Sequence, residues 1–255
     1  MLKSAKLQDI NKGESFLTKI AVALDVPTIP EALRLVDQLR GYVDYFKVGL
    51  QLLHGQGTPQ VLRAMNSAVI DVMLDWKLKD ISETVALAVQ AISEYNVAYF
   101  NLHVSTGNES ILRAFQYRGT SRVQGVTVLT SLSSEECVEI YGVDAPTKVL
   151  QFARTFADLG GHAIICSPKE ASTLRDDPEV AQLERWTPGI RSLWAVKGDQ
   201  SRVLSPADAM LAGADVLVIG RPITQPPAEI GSPRDAAQRI WDEIYAAGGT
   251  RSKAA

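Results

Sequence analysis

Hydrophobic positions along the chain fall into short apolar runs that alternate with stretches of helical spacing. Ile20-Ala21-Val22-Ala23-Leu24 predicts a buried strand closing on Asp25-Val26-Pro27. Over 30–39, Ala32, Leu33, Val36 and Leu39 share one helical face. Tyr45-Phe46-Lys47-Val48-Gly49 predicts a second strand, and Thr58-Pro59 opens the next helix as N-cap and first helical residue. The stretch 68–80 predicts a third strand. It starts β-branched and apolar and ends in Asp75, Lys77 and Asp80, where a purely structural strand would simply stop. Beyond it the pattern predicts a helix over 82–95, a strand over 97–103, a helix over 109–117 and a strand over 124–130. Helices near 135–141 and 148–159 precede a strand over 163–166, after which Ser167-Pro168 starts a helix reaching 174. A weak seventh strand covers 185–188, a clear eighth covers 216–219, and a helix over 234–246 closes the pattern.

Apolar strands alternating with helices, without a linker, short repeat or low-complexity segment, predict an α/β chain folded as a single (β/α)8 TIM barrel. The length of 255 residues suits one such barrel. An open doubly wound sheet is disfavoured, because no G-x-G-x-x-G follows the first strand and no Walker A sequence is present. The barrel is expected over 19–247, with an N-terminal extension over 1–18 and a flexible C-terminal tail over 248–255.

Composition changes this picture little: 46% hydrophobic and 22% charged residues are ordinary for a soluble domain. A net charge of -3 argues against general nucleic-acid binding, though not against an anionic small ligand in a local basic pocket. Cys137 and Cys166 are too few for a disulfide framework or a zinc site. Lys3, Lys6, Asp9, Lys12 and Glu14 leave no apolar signal-peptide region, and no run reaches membrane-spanning length. A cytoplasmic protein without membrane contact is expected.

In a barrel, function sits at the C-terminal strand ends, and polar residues collect there. They are Asp25, Lys47, Asp75 and Lys77, His103, Thr130 and Ser131, Ser167, Arg191, and Gly220-Arg221. Each has a bland explanation. Asp25 could cap a helix, Thr130 could be a β-branched strand residue, His103 a hydrogen-bonded structural histidine, and the arginines surface ion pairs. Lys47 is harder to dismiss, since it interrupts an apolar strand. Strand alternation puts Asp75 and Lys77 on one face, and Asp80 can fold back toward the same spot. A lysine between two carboxylates is costly to bury, which marks the cluster as a candidate for chemistry. The polar loop over 187–202, with glycines at both ends and Trp194 within, reads as a mobile lid. Gly220 and Arg221 then offer backbone N–H groups and a forked cation to a phosphate.

Asp75-x-Lys77-x-x-Asp80, with Lys47 in Phe-Lys-Val-Gly and Asp25 in Ala-Leu-Asp-Val-Pro, resembles the orotidine 5'-phosphate decarboxylase family. The likeness continues through Val-Thr-Val-Leu-Thr-Ser at 126–131, Cys-Ser-Pro at 166–168 and Thr-Pro-Gly-Ile-Arg at 187–191. Gly-Asp-Gln at 198–200 and Ile-Gly-Arg-Pro-Ile at 219–223 complete it. The acidic motif alone is shared with sugar-phosphate decarboxylases and hexulose-phosphate synthases, which resemble one another in an acidic residue at the Lys47 position and in using magnesium. The resemblance implies decarboxylation of orotidine 5'-phosphate to UMP, the last step of de novo pyrimidine nucleotide synthesis, with no cofactor and no metal. Lys47, Asp75, Lys77 and Asp80 would form a charged tetrad in a homodimer, Asp80 and Thr84 reaching into the partner subunit's site. Asp25 and Lys47 would hold the ribose, Thr130 and Ser131 the pyrimidine, and Gln200, Gly220 and Arg221 the phosphate, with Arg191 at the base of the lid. Trp76, Ser82, Glu83 and Ser192 depart from the common family pattern, and Ser192 in place of proline implies a looser lid. Alternatives are a magnesium-dependent sugar-phosphate decarboxylase or aldolase of the same superfamily, and a catalytically idle barrel that senses a nucleotide. A Schiff-base aldolase is weaker, because a lysine flanked by carboxylates is a poor nucleophile.

Overall fold

Strands rich in Val, Ile, Leu and Ala can bury both faces when helices cover one and neighbouring strands enclose the other. The computed structural model, which describes residues 16–195 and 204–251, has this arrangement. Its first half contains β1 (Phe16–Ala23), α1 (Ile29–Leu39), β2 (Tyr45–Val48), α2 (Leu50–Gln56), α3 (Thr58–Ser67), β3 (Val72–Leu78), α4 (Ser82–Ile92), β4 (Tyr99–His103) and α5 (Asn108–Tyr117). Then come β5 (Arg122–Val126), α6 (Ser134–Tyr141), α7 (Ala145–Asp158), β6 (Ala163–Ile165), α8 (Ala171–Asp176) and β7 (Glu184–Thr187). The last are α9 (Pro206–Leu211), β8 (Val216–Ile219), α10 (Arg221–Thr224), α11 (Pro233–Ala246) and β9 (Gly249–Arg251). Strands β1 to β8 pair in parallel and in order, and the β1–β2 ladder closes them into the expected (β/α)8 barrel.

Helix starts follow local chemistry. Thr28 accepts the Glu31 N–H ahead of Pro30, Asp144 accepts that of Thr147, and Ser133 and Ser232 each complete a capping box. Between helices and sheet lies the larger core, which includes Val36, Leu39, Leu62, Val89, Ile111, Phe156, Ile240 and Trp241. A second cluster fills the barrel itself: Ala21, Met73, Tyr99, Ala163, Trp186, Val216 and Val218. Below it, Glu184 accepts hydrogen bonds from Tyr99 and Trp186 and pairs with Arg122 and Lys19, so the N-terminal mouth is plugged by matched polar groups. Access to the interior is therefore from the opposite end.

Four expectations change. The third strand begins at Val72 rather than 68, because Ala68 and Val69 continue the turn that ends α3, and Val69 stands 82% exposed at φ 52°. The fifth strand runs from Arg122 to Val126, leaving Thr130 and Ser131 in the following loop. Residues 16–18, read as extension, are strand, and they pair with β9, read as tail. Arg251 pins that last strand by donating to the Gly41 carbonyl and lying over the Trp241 ring, a contact no local hydrophobic period announces. Short helices α2, α9 and α10 were also not legible. Among the described residues no helix is long and apolar enough to cross a membrane.

Candidate functional site

At the C-terminal rim of the barrel a cavity of about 350 Å³ opens between β1, β2, β3, β5, β6, β7 and β8. Asp25, Lys47, Asp75, Lys77, Thr130, Arg191, Gly220 and Arg221 all line it, over a floor that includes Met73, Val126, Ile165 and Val218.

The centre is a carboxylate between two ammonium groups. Lys47 Nζ lies 3.0 Å from Asp75 Oδ2 and 3.2 Å from Asp25 Oδ1, and Lys77 Nζ lies 2.5 Å from Asp75 Oδ1. Burial pushes the Asp75 carboxyl up, but Lys47 and Lys77 outweigh it, and hydrogen bonds from Lys77 and Asn101 add to them. The group is held well below the usual carboxylate range. Burial likewise opposes the charged form of Lys47, and Asp75 and Asp25 reverse the sign, so its pKa is raised. Gly49 leaves room for this contact, since a Cβ there would sit 3.1 Å from both Lys47 Nζ and Asp25 Oδ1.

Strand alternation does not by itself bring Lys77 to Asp75. Pairing passes from Leu74↔Phe100 to Leu78↔Leu102, so β3 bulges, and Lys77 takes φ 52°. That conformation costs a non-glycine residue about 1–2 kcal/mol. Asn101, fully buried on β4, supports it. Its Oδ1 accepts the Lys77 backbone N–H at 2.6 Å, and its Nδ2 donates to Asp75 Oδ1 at 2.7 Å. Sequence reasoning missed Asn101, although a lone amide between Phe100 and Leu102 is the same kind of interruption that singled out Lys47.

Asp80 does not fold back onto Lys77 within its own chain. It is exposed, its carboxylate accepts the Ile81 N–H at 2.7 Å, and its carbonyl accepts hydrogen bonds from Thr106 and Ser110. The helix start at Ser82 carries the chain away from the rim before the carboxylate can return. Thr84 is exposed on the same outer side, 72%-exposed Ile81 beside it. Ser131 is exposed and outside the cavity lining, whereas Thr130 is half-buried within it. Gln200, with Gly198, Asp199, Ser201 and Arg202, lies outside the described residues.

Ser192, whose departure from proline implied a looser lid, anchors the base of the loop after β7; lid residues 196–203 lie outside the described residues. Ile190 bridges Leu204, and the Arg191 N–H donates to the Leu204 carbonyl. Ser192, 3% exposed, donates to Glu243 Oε2 at 3.0 Å, and Trp194 Nε1 donates to Glu243 Oε1 at 2.7 Å. A serine hydroxyl can reach a carboxylate on α11, which proline could not.

Fold and site together define a (β/α)8-barrel enzyme with its charged centre at the C-terminal rim. The sequence profile of the Orotidine 5'-phosphate decarboxylase / HUMPS family matches residues 18–240, and the chain belongs to that family. It is 36% identical to orotidine 5'-phosphate decarboxylase of Synechocystis sp. over 236 residues, covering 89% of this chain and 97% of that protein. The enzyme of the same name from Thermobifida fusca is 37% identical, covering 91% and 98%. Among solved structures, orotidine 5'-phosphate decarboxylase from Lactobacillus acidophilus superposes with a TM-score of 0.74 at 25% identity, covering 89% of this chain and 99% of that one.

Proposed function

We infer that the chain is a carboxy-lyase that converts orotidine 5'-phosphate to UMP in pyrimidine nucleotide synthesis. The observation that carries the reading is the hydrogen-bonded Lys47–Asp75–Lys77 cluster on the wall of the rim cavity, in a chain of this family.

The chemistry needs such a cluster. When the bond between the ring carbon and its carboxylate breaks, CO2 departs and the electron pair stays on a ring carbon with little resonance relief. Fixed positive charge must already stand there. In this reading the Lys77 ammonium faces that carbon, stabilises the developing anion and then gives it a proton, which the amine regains from solvent. Asp75 and Asn101 hold Lys77 in position. Asp25 and Lys47 take the ribose hydroxyls, Thr130 with Ser131 the pyrimidine, and Gly220, Arg221 and Gln200 the phosphate, with Arg191 at the loop base. Phosphate binding far from the reacting carbon helps organise the charges around it.

The tetrad is completed, in our reading, by the partner subunit of a homodimer. Support comes from the exposed face that carries Asp80, Ile81 and Thr84 and that of Leu112, 45% exposed on the neighbouring α5. Asp80→Ala and Lys77→Ala proteins, each inactive alone, should regain about a quarter of wild-type activity on equal mixing, because each heterodimer holds one intact site. No recovery in mixtures shown to exchange subunits would remove the shared site. The cytoplasm is the compartment we assign, in keeping with two buried cysteines that form no disulfide.

The function itself is tested by following the absorbance of orotidylate with purified protein, with and without chelator. Turnover to UMP unaffected by chelator is expected; turnover abolished by chelator, or none at all, sinks the reading.

A further inference from the structure

Gln124 is 0% exposed on β5, and neither its Nε2 nor its Oε1 has a hydrogen-bond partner among the described residues. A buried amide without partners is destabilising, and an aliphatic side chain would serve the packing better. Its place explains why it is not one. Arg122 points into the barrel to Glu184, and Val126 lines the rim cavity, so by two-residue alternation Gln124 faces the interior between them. Its register partner on the adjacent strand is Asn101, the residue that ties Asp75 to the Lys77 backbone. Asn101 uses one N–H and one lone pair in those bonds, so an amide can still offer one of each.

We propose that Gln124 is a positioning residue for the decarboxylation: with Asn101 it binds one water inside the barrel, and this amide–water–amide bridge fixes the Asn101 side chain. Through Asn101 it fixes the Asp75 carboxylate and the bulge that carries Lys77. Adjacent strands stand about 4.8 Å apart, which suits a water held by two to four polar atoms, and the two amides supply that number. The instability of the buried amide is tolerated because a loosely held Asn101 would let the charged cluster drift. The role rests on the decarboxylase reading above.

Gln124→Met keeps the side-chain length and removes both polar atoms. It should lower kcat for orotidylate about tenfold by misplacing the cluster, with KM unchanged. At the same time Tm should stay within about 2 °C of wild type, because losing the bridge is offset by removing an amide that one water satisfies only in part. Activity would fall while stability holds, a combination that packing damage does not produce. An unchanged kcat, whichever way Tm moves, overturns the role. A lower kcat accompanied by a Tm below that range or a raised KM marks general damage and overturns it too. Wild-type protein measured in the same assay separates the two levels. An inactive wild type removes the decarboxylase reading and this role with it, whereas an active wild type matched by the variant removes the role alone.

Discussion

Lys77→Ala is expected to lower kcat for orotidylate by about 10⁵-fold while leaving the barrel folded, since one group supplies both charge stabilisation and the proton. The structure says why the fold should survive. The Lys77 side chain is 31% exposed, and without it Asp75 keeps Lys47 at 3.0 Å and the Asn101 amide at 2.7 Å. No buried charge is stranded, and the alanine relieves nothing in the core. Circular dichroism and Tm check the fold, and the absorbance of orotidylate checks turnover. Turnover at the wild-type rate would mean that Lys77 neither stabilises the anion nor delivers the proton, and the assignment of the chemistry to this cluster would fail.

Asp75→Asn should harm both stability and turnover. The wild-type carboxylate stands between two ammonium groups and is 8% exposed. Neutralising it leaves Lys47 with only the more exposed Asp25 and sets two cations against each other. Removing one partner of a buried pair costs about 3 kcal/mol, or roughly 9 °C in Tm for a chain of this size. A drop of about 10³-fold in kcat should accompany it, as Lys77 loses its anchor. The pH dependence has a definite sign. The Asp75 carboxyl is held below its ordinary value, so its stabilising contribution is complete above an unfolded carboxylate pKa of about 3.9 and disappears as pH falls toward the folded value. The gap in stability between wild type and variant should therefore be widest near neutrality and close progressively below about pH 4. A gap that stays constant down to acid pH would mean that the carboxylate is not what the cluster depends on.

Much of the site was legible because Lys47, Asp75 and Lys77 each break an apolar strand, and a charge in such a place needs a reason. Their association followed from parallel strands that end at one rim. What escaped were several features set by partners distant in sequence. Asn101 looked like an ordinary strand residue until its register against β3 was known. The Ser192 hydroxyl looked like a loss of stiffness until Glu243 was found 51 residues further on. Asp80, close to Lys77 in sequence, was expected beside it, and the helix start at Ser82 turned it away instead.

The sequence by itself determined the barrel, the order of its strands and the charges available at the rim, because hydrophobic period and strand-end chemistry are local properties carried by neighbouring residues. Only the tertiary structure decided which charge sits between which. Within the chain it set the Asp75 carboxylate between Lys47 and Lys77 and turned Asp80 outward, since a bulge in β3, a left-handed Lys77 and a buried Asn101 depend on how strands register against one another. That register is fixed by packing across the whole barrel and is written in no single segment.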